Sequence, residues 1–230
     1  MSEKIKKKEK AKILFEQTER RGKNTKYFVT ENHGGVAAIY PYPVHYQEDG
    51  QWKEIDNSLQ EDNTEEEGYE NKNAHIKVKF AKHGNSKKLV TLRNGKHKLS
   101  WGLERVKENK LEKTDFEIYG KVEENSNDET IAAWNNSKMM TANVESGGVY
   151  KNILDNIDLE YQIIGESLKE NIILKTPESA NTEITFRLRH NGLILSEDEE
   201  KRLCFTDEKS EGDIIFCLAV PHMYDQSGIY

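Results

Sequence analysis

Apolar residues recur at every second position along much of this chain. Ile76, Val78 and Phe80 alternate with His75, Lys77 and Lys79, and Leu99, Trp101 and Leu103 follow the same spacing. Leu159, Tyr161 and Ile163 repeat it, as do Ile184, Phe186 and Leu188, and Phe116, Ile118 and Val122 around Gly120. A period of two gathers one set of side chains on one face of an extended strand, an arrangement no α-helix reproduces. Residues 168–175 and 214–220 are more continuously apolar, which predicts strands covered on both faces. Between the runs lie Asp49-Gly50, Asn94-Gly95 and Asn191-Gly192, pairs that supply the positive backbone angles of two-residue hairpins. The prediction is an all-β protein, an antiparallel two-layer β-sandwich over residues 25–230. A polar stretch near residues 123–130 marks where two packed lobes would divide, and residues 61–68 read as another long loop.

Charge sets the first residues apart. Residues 1–30 hold ten Lys/Arg against four Glu, in a chain of 230 residues whose net charge is −7. Residues 1–24 therefore read as a flexible or helical basic leader. Nucleic-acid binding by residues 4–26 is one use of such a run, but basic runs without aromatic residues are unspecific, so no nucleic-acid partner is expected. Only Ile13-Leu14-Phe15 follows the basic residues, too little apolar length for an export signal. Runs such as Ile172-Ile173-Leu174 are also too short to span a bilayer, and no membrane insertion is expected.

The first hairpin yields the candidate surface. A two-residue turn at Asp49-Gly50 sets Gln47 opposite Trp52, His45 opposite Glu54 and Val44 opposite Ile55. His45 and Glu54 beside an indole could serve as acid and base, or as a sugar platform, because aromatic faces stack on sugar C–H groups. A cross-strand ion pair on an exposed face is the plainer account, since no nucleophile or second acid is tied to the pair. Tyr40, Tyr42 and Tyr46 flank Pro41 and Pro43, either as a contact edge or as the rim of a β core. Tyr42, His45, Tyr46, Trp52 and Glu54 are the candidate binding residues, and no catalytic residue, metal site or cofactor is assigned. The seven histidines share no HxH or HExxH spacing, and neither cysteine lies in a CxxC. An even-loop hairpin would set Cys204 opposite Cys217 and Phe205 opposite Phe216. That allows a disulfide in an oxidising compartment or two reduced, packed cysteines.

Several strings are distinctive when read whole. They include NTKYFV, AAIYPYPVHYQEDGQWKEIDNSL, YENKNAHIKVKFAK at residues 69–82 and LSWGLE at residues 99–104. GVYKNILDNIDLEYQIIGESLKENIILK follows at residues 148–175, then FTDEKSEGDIIFCLAVPHMYDQSG. Together they resemble the amino-terminal β-rich region, upstream of the DNRLRE segment, of bacterial RHS/YD-repeat, wall-associated-protein-like surface proteins. The resemblance runs from about residue 23 to residue 228, and no catalytic role attaches to its strings. It implies a non-catalytic module, not an enzyme, that scaffolds or attaches to cell-wall glycan or to downstream domains of the same protein. It also implies a cell-surface or secreted location, against the missing export signal. The alternatives are a carbohydrate-active enzyme using His45 and Glu54, and a stand-alone intracellular binding protein.

Overall fold

The computed structural model describes residues 11–104, 114–119, 137–140, 142–207, 209 and 212–225. The strands in chain order are β1 (Ile13–Glu16), β2 (Thr25–Thr30), β3 (Gly35–Ile39), β4 (His45–Glu48), β5 (Gln51–Glu54) and β6 (Asp56–Asp62). Next come β7 (Gly68–Asn73), β8 (Lys77–Ala81), β9 (Val90–Asn94), β10 (His97–Leu103), β11 (Phe116–Ile118) and β12 (Glu145–Leu154). The last six are β13 (Ile157–Ile164), β14 (Ser167–Leu174), β15 (Phe186–His190), β16 (Leu193–Glu197), β17 (Leu203–Asp207) and β18 (Ile214–Leu218). All pairings between these strands are antiparallel.

The sandwich consists of two layers. A six-stranded sheet, β15-β10-β9-β8-β7-β6, packs against a four-stranded sheet, β11-β12-β13-β14. Val78, Phe80, Val90, Leu92, Leu99 and Trp101 come from the first, and Phe116, Tyr150, Leu159, Tyr161 and Ile163 from the second, into one buried cluster. The alternation read from the sequence is the inward face of these strands. At the margin of the layers, buried Asn57 donates from Nδ2 to the carbonyls of Val144 and Gly165, both at 2.8 Å. Its own side-chain oxygen accepts from Asn71 at 2.9 Å, and Asn71 Oδ1 in turn accepts the Val78 amide. Two buried amides thus satisfy backbone groups that would otherwise be stranded between sheets. Gly148 permits close approach of β11 and β12, since a Cβ there would lie 2.5 Å from the Glu117 carbonyl oxygen and 2.6 Å from the Phe116 ring.

Turn chemistry holds in one hairpin, shifts in a second and takes another role in a third. Asp49 and Gly50 both have positive φ between β4 and β5, as two-residue hairpins require. Between β9 and β10 the central residues are Gly95 and Lys96, one position later than the Asn-Gly pair suggested. The observed register sets Leu92 opposite Leu99 and Val90 opposite Trp101, keeping the apolar residues on the core side. Moving the turn by one position moves the pairing by two residues, so every side chain keeps its face and Leu92 meets Leu99 in place of His97. Asn191-Gly192 is not a hairpin turn. It carries the chain from β15, in the six-stranded sheet, to β16, in a separate sheet ordered β16-β17-β18. Asn191 fixes this corner by accepting the Lys98 amide at 2.8 Å.

Two strands expected to be covered on both faces lie at sheet edges instead. In β14, Ile172 and Ile173 are both exposed, and in β18 Ile214 is 56% exposed. Continuous apolar composition did not distinguish an edge from a centre. Part of the stretch read as leader is ordered: β1 pairs with β2, and with β3 they form a three-stranded sheet beside the β4-β5 hairpin. Residues 1–10 and the expected division near 123–130 lie outside the described residues.

Replacing Phe80 by Ala tests the ring packing between layers. Phe80 is fully buried, stacked on Phe116 at 4.7 Å and tilted against Tyr161 at 5.5 Å. The change should cost about 3–5 kcal/mol in a urea titration. Ile194→Ala, at a position 46% exposed, should shift the midpoint little.

Candidate functional site

The first hairpin has the predicted register, with His45 opposite Glu54 and Gln47 opposite Trp52. The side chains nevertheless diverge. His45 is fully buried, and its Nδ1 lies 2.7 Å from the Gly22 carbonyl oxygen, which makes Nδ1 the protonated donor. Its Nε2 faces Glu16 at 3.9 Å. Glu54 is taken by the buried Lys26 ammonium and by Arg21 at 3.5 Å. Arg21 also grips both carboxylate oxygens of Glu16, each at 2.8 Å. Tyr46 is buried and donates to Asn73 Oδ1 at 2.8 Å, while Tyr42 packs at the rim of that cluster and Trp52 is half-covered. The five candidate side chains therefore share a hairpin without converging on one open site. Burial acts to raise the Glu16 carboxyl, and the Arg21 guanidinium more than offsets it, leaving Glu16 below its usual range.

A second cluster forms at a place that no motif or spacing marks. After β8 the chain pairs with the segment leading into β11. The Gly84 amide donates to the Thr114 carbonyl at 2.7 Å, and Phe116 donates back to the Lys82 carbonyl at 2.8 Å. This short ladder sets His83 directly opposite Asp115. His83 Nδ1 lies 2.7 Å from Asp115 Oδ1, and because a carboxylate only accepts, the imidazole proton on that side is fixed. Nε2 points away from Asp115, 3.8 Å from Glu67 Oε2, and Lys82 Nζ lies 3.5 Å from the same oxygen. The Glu67 carboxylate raises the Lys82 ammonium above its usual value and keeps it cationic. All four side chains are open to solvent. A histidine oriented by a carboxylate beside a cation is an arrangement that can accept a proton while a nearby charge balances a developing anion. His83 and Asp115 are 32 residues apart, and only the pairing of two loop segments joins them.

Cys204 and Cys217 are direct cross-strand partners on β17 and β18, with Phe205 opposite Phe216. The sulfurs are joined as a disulfide, which settles the two readings left open by the sequence. Asp198 lies close to both sulfurs, but a disulfide offers no thiolate to a metal ion. Among the described residues no helix is long and apolar enough to cross a membrane.

No family model matches this chain, and no solved structure matches it. Curated relatives do. The chain is 27% identical over 213 residues to the tRNA(Glu)-specific nuclease WapA of Bacillus subtilis subsp. natto (strain BEST195). It has the same identity over the same length to the tRNA nuclease WapA of Bacillus subtilis (strain 168). Against the tRNA3(Ser)-specific nuclease WapA of Bacillus spizizenii the identity is 26%. Each match covers 91% of this chain and 8% of the relative, so the chain spans a small fraction of the curated proteins it matches.

These names correct the functional expectations. The resemblance pointed to wall-associated surface modules, whereas the proteins that align along this chain are named as nucleases of tRNA. The same finding overturns the non-catalytic scaffold, the expectation that the chain is not an enzyme, and the expectation of no nucleic-acid partner. It gives no support to a carbohydrate-active enzyme. The physical reason is visible in the strings that carried the resemblance: they are turn and core residues of hairpins, which encode a fold and not a reaction.

Burial holds the imidazole of His45 below its usual pKa, against the upward pull of the Gly22 carbonyl. A histidine lowered in the folded state contributes stability that is present above about pH 6.5 and lost as pH falls through its folded value. Urea midpoints should therefore drop between about pH 7.5 and 5, and His45→Gln should flatten that drop. An unchanged pH dependence in the variant would show that His45 is not its source.

Proposed function

We propose that this chain takes part in the cleavage of tRNA. The observation that carries the reading is similarity along 91% of its length to proteins named as tRNA nucleases. Within the chain, the groups suited to the chemistry are His83, Asp115 and Lys82. Asp115 holds the Nδ1 proton, so that Nε2 can take the proton of a ribose 2′-hydroxyl. The resulting oxygen attacks the adjacent phosphorus, the bond to the 5′-oxygen breaks, and water protonates the departing oxygen. The products are a cyclic phosphate and a 5′-hydroxyl end. Lys82 stands where it can offset the charge that builds on the phosphate oxygens.

The test is cleavage of a tRNA transcript by the purified 230-residue chain, read by end-labelled gel. His83→Ala should lower the rate by about 10²–10⁴, with the protein still folded by circular dichroism. Asp115→Asn should lower it less, because only the orientation of the ring is lost. If the chain leaves tRNA intact while a longer polypeptide containing it cleaves, the reading fails and the activity lies outside this segment.

A further inference from the structure

The outer face of the six-stranded sheet carries cations in rows. The register sets Arg93 of β9 between Lys98 of β10 and Lys77 of β8, so three positive residues lie side by side across three strands. In the next row outward-facing Thr91 lies between Ser100 and Lys79, and Ser100 in turn faces Arg189 of β15. Like charges directly opposite one another destabilise a sheet, so such a row calls for an anion. Part of the demand is met by neighbouring strands: Glu70 of β7 pairs with Arg93, and Asp62 of β6 holds Lys79 at 3.0 Å. The remainder is met from outside the ladder. In the turn between β6 and β7, Glu65 places both carboxylate oxygens on Lys98 Nζ, at 2.9 and 2.7 Å. Glu66 accepts from Ser86 at 2.7 Å, on the loop that also bears Lys88. Between this turn and the sheet lies a shallow cleft, with Lys79, Lys88, Arg93 and Lys98 on one side and Glu65 and Glu66 on the other.

Glu65 differs from the strand acids in a way that matters. Its side chain is 57% exposed and sits in a turn, whereas those of Glu70 and Asp62 are largely covered within strands. An exposed turn carboxylate can leave its cation at little cost, because surface ion pairs are worth little. Two positions further along the turn, Glu67 stands beside His83.

We propose that the outer face of the six-stranded sheet, centred on Arg93 and Lys98, is a docking surface for the phosphates of an RNA backbone, and that Glu65 and Glu66 occupy it in the free protein. The proposal rests on the reading that the chain acts on RNA, and it adds where the backbone lies and what must move aside. A guanidinium can take two phosphate oxygens at once, and the Lys98 ammonium exchanges one pair of carboxylate oxygens for phosphate oxygens of the same charge type.

The experiment measures binding of a fluorescein-labelled 2′-O-methyl RNA stem-loop, which lacks the attacking hydroxyl and stays intact. Arg93→Gln/Lys98→Gln should weaken binding about tenfold or more and flatten the dependence of log K on log salt by about 1 to 2. Glu65→Gln/Glu66→Gln should tighten binding several-fold at low salt, an outcome that misfolding cannot imitate. Lys151→Gln/Lys175→Gln, which removes two cations on the other sheet, is the control. The docking surface is overturned if the acid variant binds no tighter and the Arg93/Lys98 variant is no weaker than the control. It is also overturned, together with the cleavage reading, if the wild-type chain does not bind RNA. If binding follows the prediction but no tRNA is cut, the surface stands and the cleavage reading falls. If tRNA is cut and all variants bind alike, the reverse holds.

Discussion

Four aromatic rings hold the two layers together. Phe80, from the six-stranded sheet, meets Phe116 and Tyr161, while Phe116 lies 4.8 Å from Tyr150 and Tyr150 meets Tyr161 edge to face. Rings prefer offset and edge contacts to flat sandwiches, so the cluster also fixes how the sheets sit over one another. The Tyr150 hydroxyl, buried among these groups, donates to the carbonyls of Ala81 and Leu89, at 2.5 and 3.3 Å. Those two carbonyls bracket the loop from β8 to β9. That loop carries His83, so the position of the exposed imidazole is set from the centre of the core. Without the hydroxyl the two carbonyls would lose a partner in a place water does not reach.

A different balance governs the first strands. There Glu16, Arg21, Lys26, His45 and Glu54 bring charge into the junction between the three-stranded sheet and the β4-β5 hairpin. Removing charges from water is costly, and their mutual attraction returns that cost only with good geometry. The two-oxygen grip of Arg21 on Glu16 and the pairing of Lys26 with Glu54 supply it. Losing either partner would leave a buried charge alone, at a cost larger than the pair itself returns. The ammonium of a fully covered lysine is a sharper constraint on position than an equal area of methyl groups.

How far the sequence spoke for this fold depends on the range of the interaction. Leu99, Trp101, Tyr161 and Ile163 announced their strands because alternation is local, but alternation left the β9-β10 register open by two residues, which keep the same faces. The cross-strand meeting of Cys204 and Cys217 was legible for the same reason. Which sheet a strand joins was not. Asn191-Gly192 looks like a hairpin turn, yet the residues after it pair elsewhere, a choice made by packing across the molecule. Nothing in the sequence marks Asn57 as a buried amide, because the carbonyls it meets belong to Val144 and Gly165, far along the chain. His45 and Glu54 were rightly paired along the backbone, but the His45 ring is taken by the Gly22 carbonyl and the Glu54 carboxylate by Lys26 of β2, which no hairpin arithmetic contains. His83 and Asp115 had no spacing to betray them, since two loop segments had first to meet.

The bond between Cys204 and Cys217 has a mechanical side. A pull applied beyond β18 would meet the Leu203–Leu218 pair, then Cys217, and pass through the sulfurs to Cys204, bypassing the residues between them. Of the β17-β18 ladder only the Leu203–Leu218 pair lies outside the cross-link, and once it parts the contacts anchoring β17 to β16 bear the load. Antiparallel neighbours separate one hydrogen-bonded pair at a time when peeled from an end, or all together when sheared along their length. The cross-link thus moves the point of rupture inward by one strand and makes the last hairpin a single rigid handle.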